Sequence, residues 1–176
     1  NPVDFWVYQE IIYSIKPDYI IEIGNYMGGS TLALAHMLDN LGHGEVVGLD
    51  IDHTRLADNA SNHPRIKFLE GDAKNTIEVV KNIIQEKSSV LVIEDSSHDY
   101  DNTLAILQLY SPLVSVGSYI IVEDGICHHG LDVGPKPGPY EATSDFVLEC
   151  KEFVIDRSCE DFIITWNPCG YLKRIR

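Results

Sequence analysis

The chain has 176 residues and carries 27 acidic against 13 basic side chains, a formal charge of −14. Such a field repels nucleic acid phosphate and anionic lipid, so neither is an expected partner. With 44% hydrophobic and 23% charged residues the composition excludes a disordered or fibrous chain, and a domain of this length buries roughly 70% of its unfolded surface, enough for one core.

In chain order, Phe5 to Ser14 reads as a helix with an apolar stripe of Phe5, Tyr8 and Ile12, stopped near Pro17. Tyr19 to Ile23 is a short apolar strand ending at Gly24, and a helix is expected from about Ser30 to Leu41. The pattern repeats: strand Glu45 to Leu49, a short helix near Arg55 to Ala60, strand Ile66 to Leu69, helix Asn75 to Glu86. Val90 to Ile93, wholly apolar between Ser88-Ser89 and Glu94-Asp95, suits a central parallel strand. A helix to about Val114 and a strand from Tyr119 to Val122 follow. Strands alternating with helices predict a doubly wound α/β fold with a mostly parallel sheet.

Asp124 to Tyr140 is rich in Gly, Pro and His, the composition of a lid or binding loop. Helix resumes from Ala142 to Lys151, and the pieces Phe153 to Ile155, Phe162 to Trp166 and Tyr171 to Lys173 predict a closing antiparallel hairpin, for seven strands in one domain over 1–176. Cys127, Cys150, Cys159 and Cys169 show no C-x-x-C spacing and read as reduced thiols. No aliphatic run is long enough to span a bilayer, and no leader opens the chain, so a cytoplasmic protein is expected. The start at Asn1 without methionine leaves room for an upstream segment.

Open α/β sheets bind ligands at the carboxyl ends of their strands. The residues there are Glu22-Ile-Gly24-Asn-Tyr-Met-Gly-Gly-Ser30, Asp50-Ile-Asp52, Glu70-Gly-Asp72, Glu94-Asp-Ser-Ser-His98 and Glu123-Asp124. Gly24, Gly28 and Gly29 let the backbone turn and approach a ligand, although alone they could merely pack strand against helix. Asp50 adds a carboxylate able to accept from both hydroxyls of a ribose. Tyr26 stands where a dinucleotide fingerprint needs its second glycine, which disfavours a pyrophosphate. Three carboxylates at neighbouring strand ends repel one another unless protonated or bridged by a cation, and an all-oxygen set favours Mg²⁺, Mn²⁺ or Ca²⁺.

Glu22-x-Gly24-x-x-x-Gly28 resembles the first motif of class I methyltransferases. Glu22 to Thr31, Asp95-Ser-Ser-His98, Gly117 to Asp124 and Gly138-Pro-Tyr-Glu-Ala142 together resemble the cephalosporin hydroxylase/rhamnosyl O-methyltransferase family, and the strand-end acids resemble those of catechol-type, metal-dependent O-methyltransferases. The resemblance implies S-adenosylmethionine as cofactor, Mg²⁺ as the expected divalent metal, and a small hydroxylated acceptor such as a sugar unit or natural-product scaffold; self-association stays open. It implies cofactor contacts from Glu22, Gly24, Asn25, Tyr26, Ser30, Asp50, Ile51, Asp72 and Asp95, and metal ligands Asp95, Glu123 and Asp124. Catechol enzymes carry a lysine base three residues beyond the first ligand; here that position is His98, which with Asp95 forms the expected catalytic pair. The bland alternatives are that Glu123 or Asp124 caps the loop, that Asp95 holds the cofactor's amino group, and that His98 is structural.

Two rivals come from other classes. An iron oxygenase needs two histidines and a carboxylate, but His43-Gly-Glu45 precedes its strand and so lies at the wrong sheet edge. A catalytically silent domain that binds the cofactor or a partner is the other. His128 and His129, on the long loop, are expected to be exposed and not ligands.

Overall fold

A computed structural model describes residues 1–176. Helix α1 (Pro2–Ile15) starts earlier than its apolar stripe suggests, because Asn1 accepts the Val3 N–H at 3.2 Å and Pro2 occupies the first turn, where a missing N–H costs nothing. Then follow β1 (Tyr19–Ile23), α2 (Gly29–Leu41), β2 (Glu45–Asp50), α3 (Asp58–Ser61), β3 (Ile66–Glu70), α4 (Ala73–Ile83), β4 (Val90–Glu94), α5 (Tyr100–Tyr110), β5 (Tyr119–Val122), α6 (Pro139–Glu149), β6 (Phe153–Ile155) and β7 (Tyr171–Arg174). The sheet order is β3-β2-β1-β4-β5-β7-β6. The first five strands pair in parallel, and β7 runs antiparallel to both β5 and β6.

Alternation along the strands builds two cores. Ile21, Val47, Val92 and Ile120 face Ile77, Val80, Ile106, Leu107 and Phe146 of α4, α5 and α6. Ile20, Val46, Leu91 and Ile121 face Val7, Ile11, Leu34 and Leu38 of α1 and α2. Each fully buried Leu or Ile contributes about 1.5 to 3 kcal/mol of transfer free energy, so the central strands β1, β2, β4 and β5 are held from both sides.

Two sequence expectations need correction. The short helix near Arg55 contracts to Asp58–Ser61. Phe162 to Trp166 forms no strand: Phe162, Ile163, Ile164 and Trp166 are exposed, Ile163 fully, and the segment is anchored by Asp4 of α1, which accepts from the Thr165 hydroxyl at 2.6 Å and the Trp166 N–H at 3.0 Å. Helix α5 starts at Tyr100, because Asp99 is the cap and accepts the Asn102 N–H at 2.9 Å.

Candidate active site

Backbone hydrogen bonds extend the central ladder past the ends of the strands. The Gly24 N–H donates to Leu49 O, Asp95 to Ile23 O and Glu123 to Glu94 O, at 2.8, 2.8 and 2.9 Å. These bonds set Gly24, Asp95 and Glu123 in a row on one edge. Gly24 has φ +89°, and a Cβ there would lie 2.0 Å from the Asp95 carbonyl oxygen, so this crossing admits only glycine.

Two cavities open at this edge. The larger, about 720 Å³, is lined by Gly24, Tyr26, Asp50, Ile51, Asp72 and Asp95, all expected cofactor contacts. The smaller, about 170 Å³, is lined by Glu22, Ser30, Asp95, Glu123 and Asp124 with Phe5, Tyr8 and Trp166. Asp95 belongs to both. Of the expected cofactor residues only Asn25 lines neither: it is buried, with Oδ1 3.2 Å from His53 Nε2 and Nδ2 unpartnered. Asp50 is partly engaged by the chain itself, accepting the Tyr26 N–H at 2.7 Å, which fixes the glycine turn over the cavity.

The acids are crowded and several are desolvated. Burial pushes Glu22 up to about 7, against hydrogen bonds from Ser30 and Thr31, and Glu94 up to about 8, against one from Ser96. Burial likewise raises Glu123 and Asp124, with the Asp95 charge adding to both. Each holds its proton more tightly than a free carboxyl does.

His98 Nε2 lies 3.0 Å from Asp95 Oδ1 and Nδ1 3.4 Å from Asp124 Oδ2. The hydrogen bond to Asp95 raises the imidazole's affinity for a proton, against burial. His98 reaches Asp95 from a left-handed loop residue, φ +56°, and not from a helical turn. One ligand atom each from Asp95, His98 and Asp124 lies within 4.8 Å of the others, a donor set compatible with a divalent cation. Glu123 lines the same cavity, but its Oε1 accepts the Tyr8 hydroxyl. His128 and His129 are engaged elsewhere, His128 with Asp132 and His129 with Glu141, each at 2.9 Å. His43, near the amino end of β2, contacts Lys16 O at 3.1 Å, away from this edge.

The sequence reading missed the far wall of the large cavity. Lys74 donates to Asn102 Oδ1 and Asn102 donates to Ser96 Oγ, both at 2.7 Å, linking the starts of α4 and α5 across the opening. Their signal was position alone, within the first turn of a helix that follows a strand. Tyr8 was hidden in the apolar stripe of α1, where a tyrosine reads as core.

Against known proteins, the profile of the family Rhamnosyl O-methyltransferase/CmcI matches residues 1–175. The Rhamnosyl O-methyltransferase of Mycobacterium tuberculosis is 34% identical over 180 residues, an alignment spanning 97% of this chain and 73% of that protein. A solved CmcI structure described as Mg-SAM superposes with a TM-score of 0.77 at 23% identity, over 100% of this chain and 72% of that one. An O-methyltransferase from Bacillus cereus in complex with SAH gives 0.66 at 21%, over 87% and 71%. At these identities the two structures speak to the fold alone: a Rossmann-like methyltransferase sheet.

Proposed function

The chain belongs to the Rhamnosyl O-methyltransferase/CmcI family, and from that membership we propose that it is an S-adenosylmethionine-dependent O-methyltransferase, assisted by a divalent cation, that methylates a hydroxyl of a small molecule such as a sugar unit or natural-product scaffold. On this reading residues 1–176 are one catalytic domain. The observation that carries it is the double position of Asp95: a nucleoside-sized cavity and an acidic cavity share this one carboxylate. A methyl donor in the first would thus present its sulfonium to groups in the second.

The roles follow from what each residue offers. Asp50 faces the cavity with carboxylate oxygens suited to ribose hydroxyls, Gly24 and Tyr26 bring backbone close, and Ile51 and Asp72 border the base end. Glu22 and Ser30, on the small-cavity side, suit the amino acid tail. Mg²⁺ or Mn²⁺ held by Asp95, Glu123 and Asp124 would supply Lewis acidity that lowers the pKa of the acceptor hydroxyl. His98 takes the hydroxyl proton, while Phe5 and Trp166 exclude water and hold the acceptor in line with the methyl group.

A second reading is favoured by the 4.8 Å grouping of Asp95, His98 and Asp124: His98 is itself a ligand, and another group or water removes the proton. An iron oxygenase is disfavoured because the grouping holds one histidine, not two. The deciding experiment incubates the protein with methyl-labelled S-adenosylmethionine and a panel of hydroxylated acceptors, with and without EDTA. Label transferred to oxygen and lost with EDTA supports the proposal. Absence of transfer to every acceptor, without binding of S-adenosylhomocysteine, sinks it; transfer indifferent to EDTA removes the metal.

A further inference from the structure

Asn167 lies outside every motif considered above, yet it is fully buried directly behind the turn that follows β5. Its Oδ1 accepts the Asp124 N–H at 3.0 Å, and its Nδ2 lies 3.2 Å from the Tyr8 hydroxyl oxygen. The directions are forced. A backbone N–H can only donate, so the amide oxygen must face Asp124 and the amide nitrogen must face Tyr8. The Tyr8 oxygen therefore accepts from Asn167, and its own proton goes to Glu123 Oε1.

One amide thus reaches two consecutive acids, Asp124 through its backbone and Glu123 through Tyr8. Asp124 needs such an anchor, since its φ of +57° is a conformation that a non-glycine residue adopts only when its surroundings impose it. Asn167 is itself held on both sides. Thr165 and Trp166 bond to the buried Asp4 of α1, and the Trp166 carbonyl accepts the Ile126 N–H at 2.9 Å.

We infer that Asn167 is a positioning residue for the cation site: its single amide fixes the Asp124 backbone and, through the Tyr8 hydroxyl, the Glu123 carboxylate. The inference rests on the metal reading given above. Groups that orient metal ligands from behind typically change metal affinity by about 10- to 100-fold when removed.

The test titrates Mn²⁺ by electron paramagnetic resonance into wild type, Asn167→Ala and Tyr8→Phe, with S-adenosylhomocysteine affinity measured calorimetrically on the same samples without metal. Asn167→Ala is expected to weaken Mn²⁺ binding by 10- to 100-fold and Tyr8→Phe by a smaller factor, with S-adenosylhomocysteine affinity kept within about twofold. Mn²⁺ affinity within twofold of wild type in Asn167→Ala overturns the inference while leaving the metal reading intact. Equal losses of Mn²⁺ and S-adenosylhomocysteine affinity also overturn it, since they mean a general packing role. Should Asn167→Ala not fold, Tyr8→Phe decides, because it removes one hydroxyl and no packing; unchanged Mn²⁺ affinity there overturns the inference. A wild-type protein that takes up no Mn²⁺ brings down the metal reading itself, and the inference with it.

Discussion

Two residues give the sharpest separation between chemistry and architecture. His98 sits between the carboxylates of Asp95 and Asp124, so its removal distinguishes base from ligand. As the base, His98→Ala lowers kcat by about 10²- to 10⁴-fold and leaves Mn²⁺ and S-adenosylhomocysteine affinity near wild type; as a ligand it loses metal affinity along with turnover. Stopped assays and a Mn²⁺ titration on one preparation separate the two. Glu22 carries part of the pH response, alongside the buried Glu94. Burial raises it from 4.5 to about 7, so the folded state prefers the protonated form: its stabilising contribution is full below pH 4.5 and is lost as pH climbs through 7. Each tenfold in proton affinity corresponds to about 1.4 kcal/mol, so the loss amounts to a few kcal/mol at most. Glu22→Gln mimics the protonated carboxyl and should flatten the decline in urea midpoint between pH 5 and pH 8; an unchanged slope would place the titration elsewhere.

At the scale of elements, the site depends on how closely the end of β1 passes the end of β4. Gly24→Ala forces a Cβ to within 2.0 Å of the Asp95 carbonyl at a φ of +89°, so the two strand ends must part. A destabilisation of about 2 to 5 kcal/mol in denaturant melts is expected, from backbone strain and overpacking together, along with loss of S-adenosylhomocysteine binding. A variant that binds normally would show that the crossing is not the cofactor's floor. The strands were legible because runs such as Val90 to Ile93 are apolar throughout and buried on both faces. Boundaries set by competing caps were not: Asp95, Ser96, Ser97 and Asp99 all suit a helix N-cap, and only packing selects Asp99. Phe162 to Trp166 has the bulky side chains of a strand, but Asp4, distant in sequence, takes its polar groups. The strand-end acids were legible in the same way as the strands. Tyr8 and Asn167 were not, because a tyrosine in an apolar stripe and an asparagine in a loop carry no local mark of the partner they meet.

The whole molecule is governed by its charge of −14. Self-repulsion of that size is screened over about 8 Å at physiological ionic strength, so sodium chloride alone should raise the melting temperature by a few degrees. A cation bound only by the folded state adds stability by mass action, about 2.7 kcal/mol at 100 times its Kd; Mg²⁺ should therefore raise the midpoint further than sodium chloride of matched ionic strength. Equal shifts would mean screening without a site. Because Asp95 is wall to both cavities, their occupants are thermodynamically linked, and the factor by which one alters the affinity of the other must be the same in both directions. The strength of that coupling changes during turnover. S-adenosylmethionine brings a positive sulfonium toward the shared carboxylate and competes with a cation for its charge, whereas the thioether product is neutral there and does not. Mg²⁺ should accordingly weaken binding of the methyl donor relative to its product severalfold, making product retention, and not donor capture, the step that rising magnesium concentration favours.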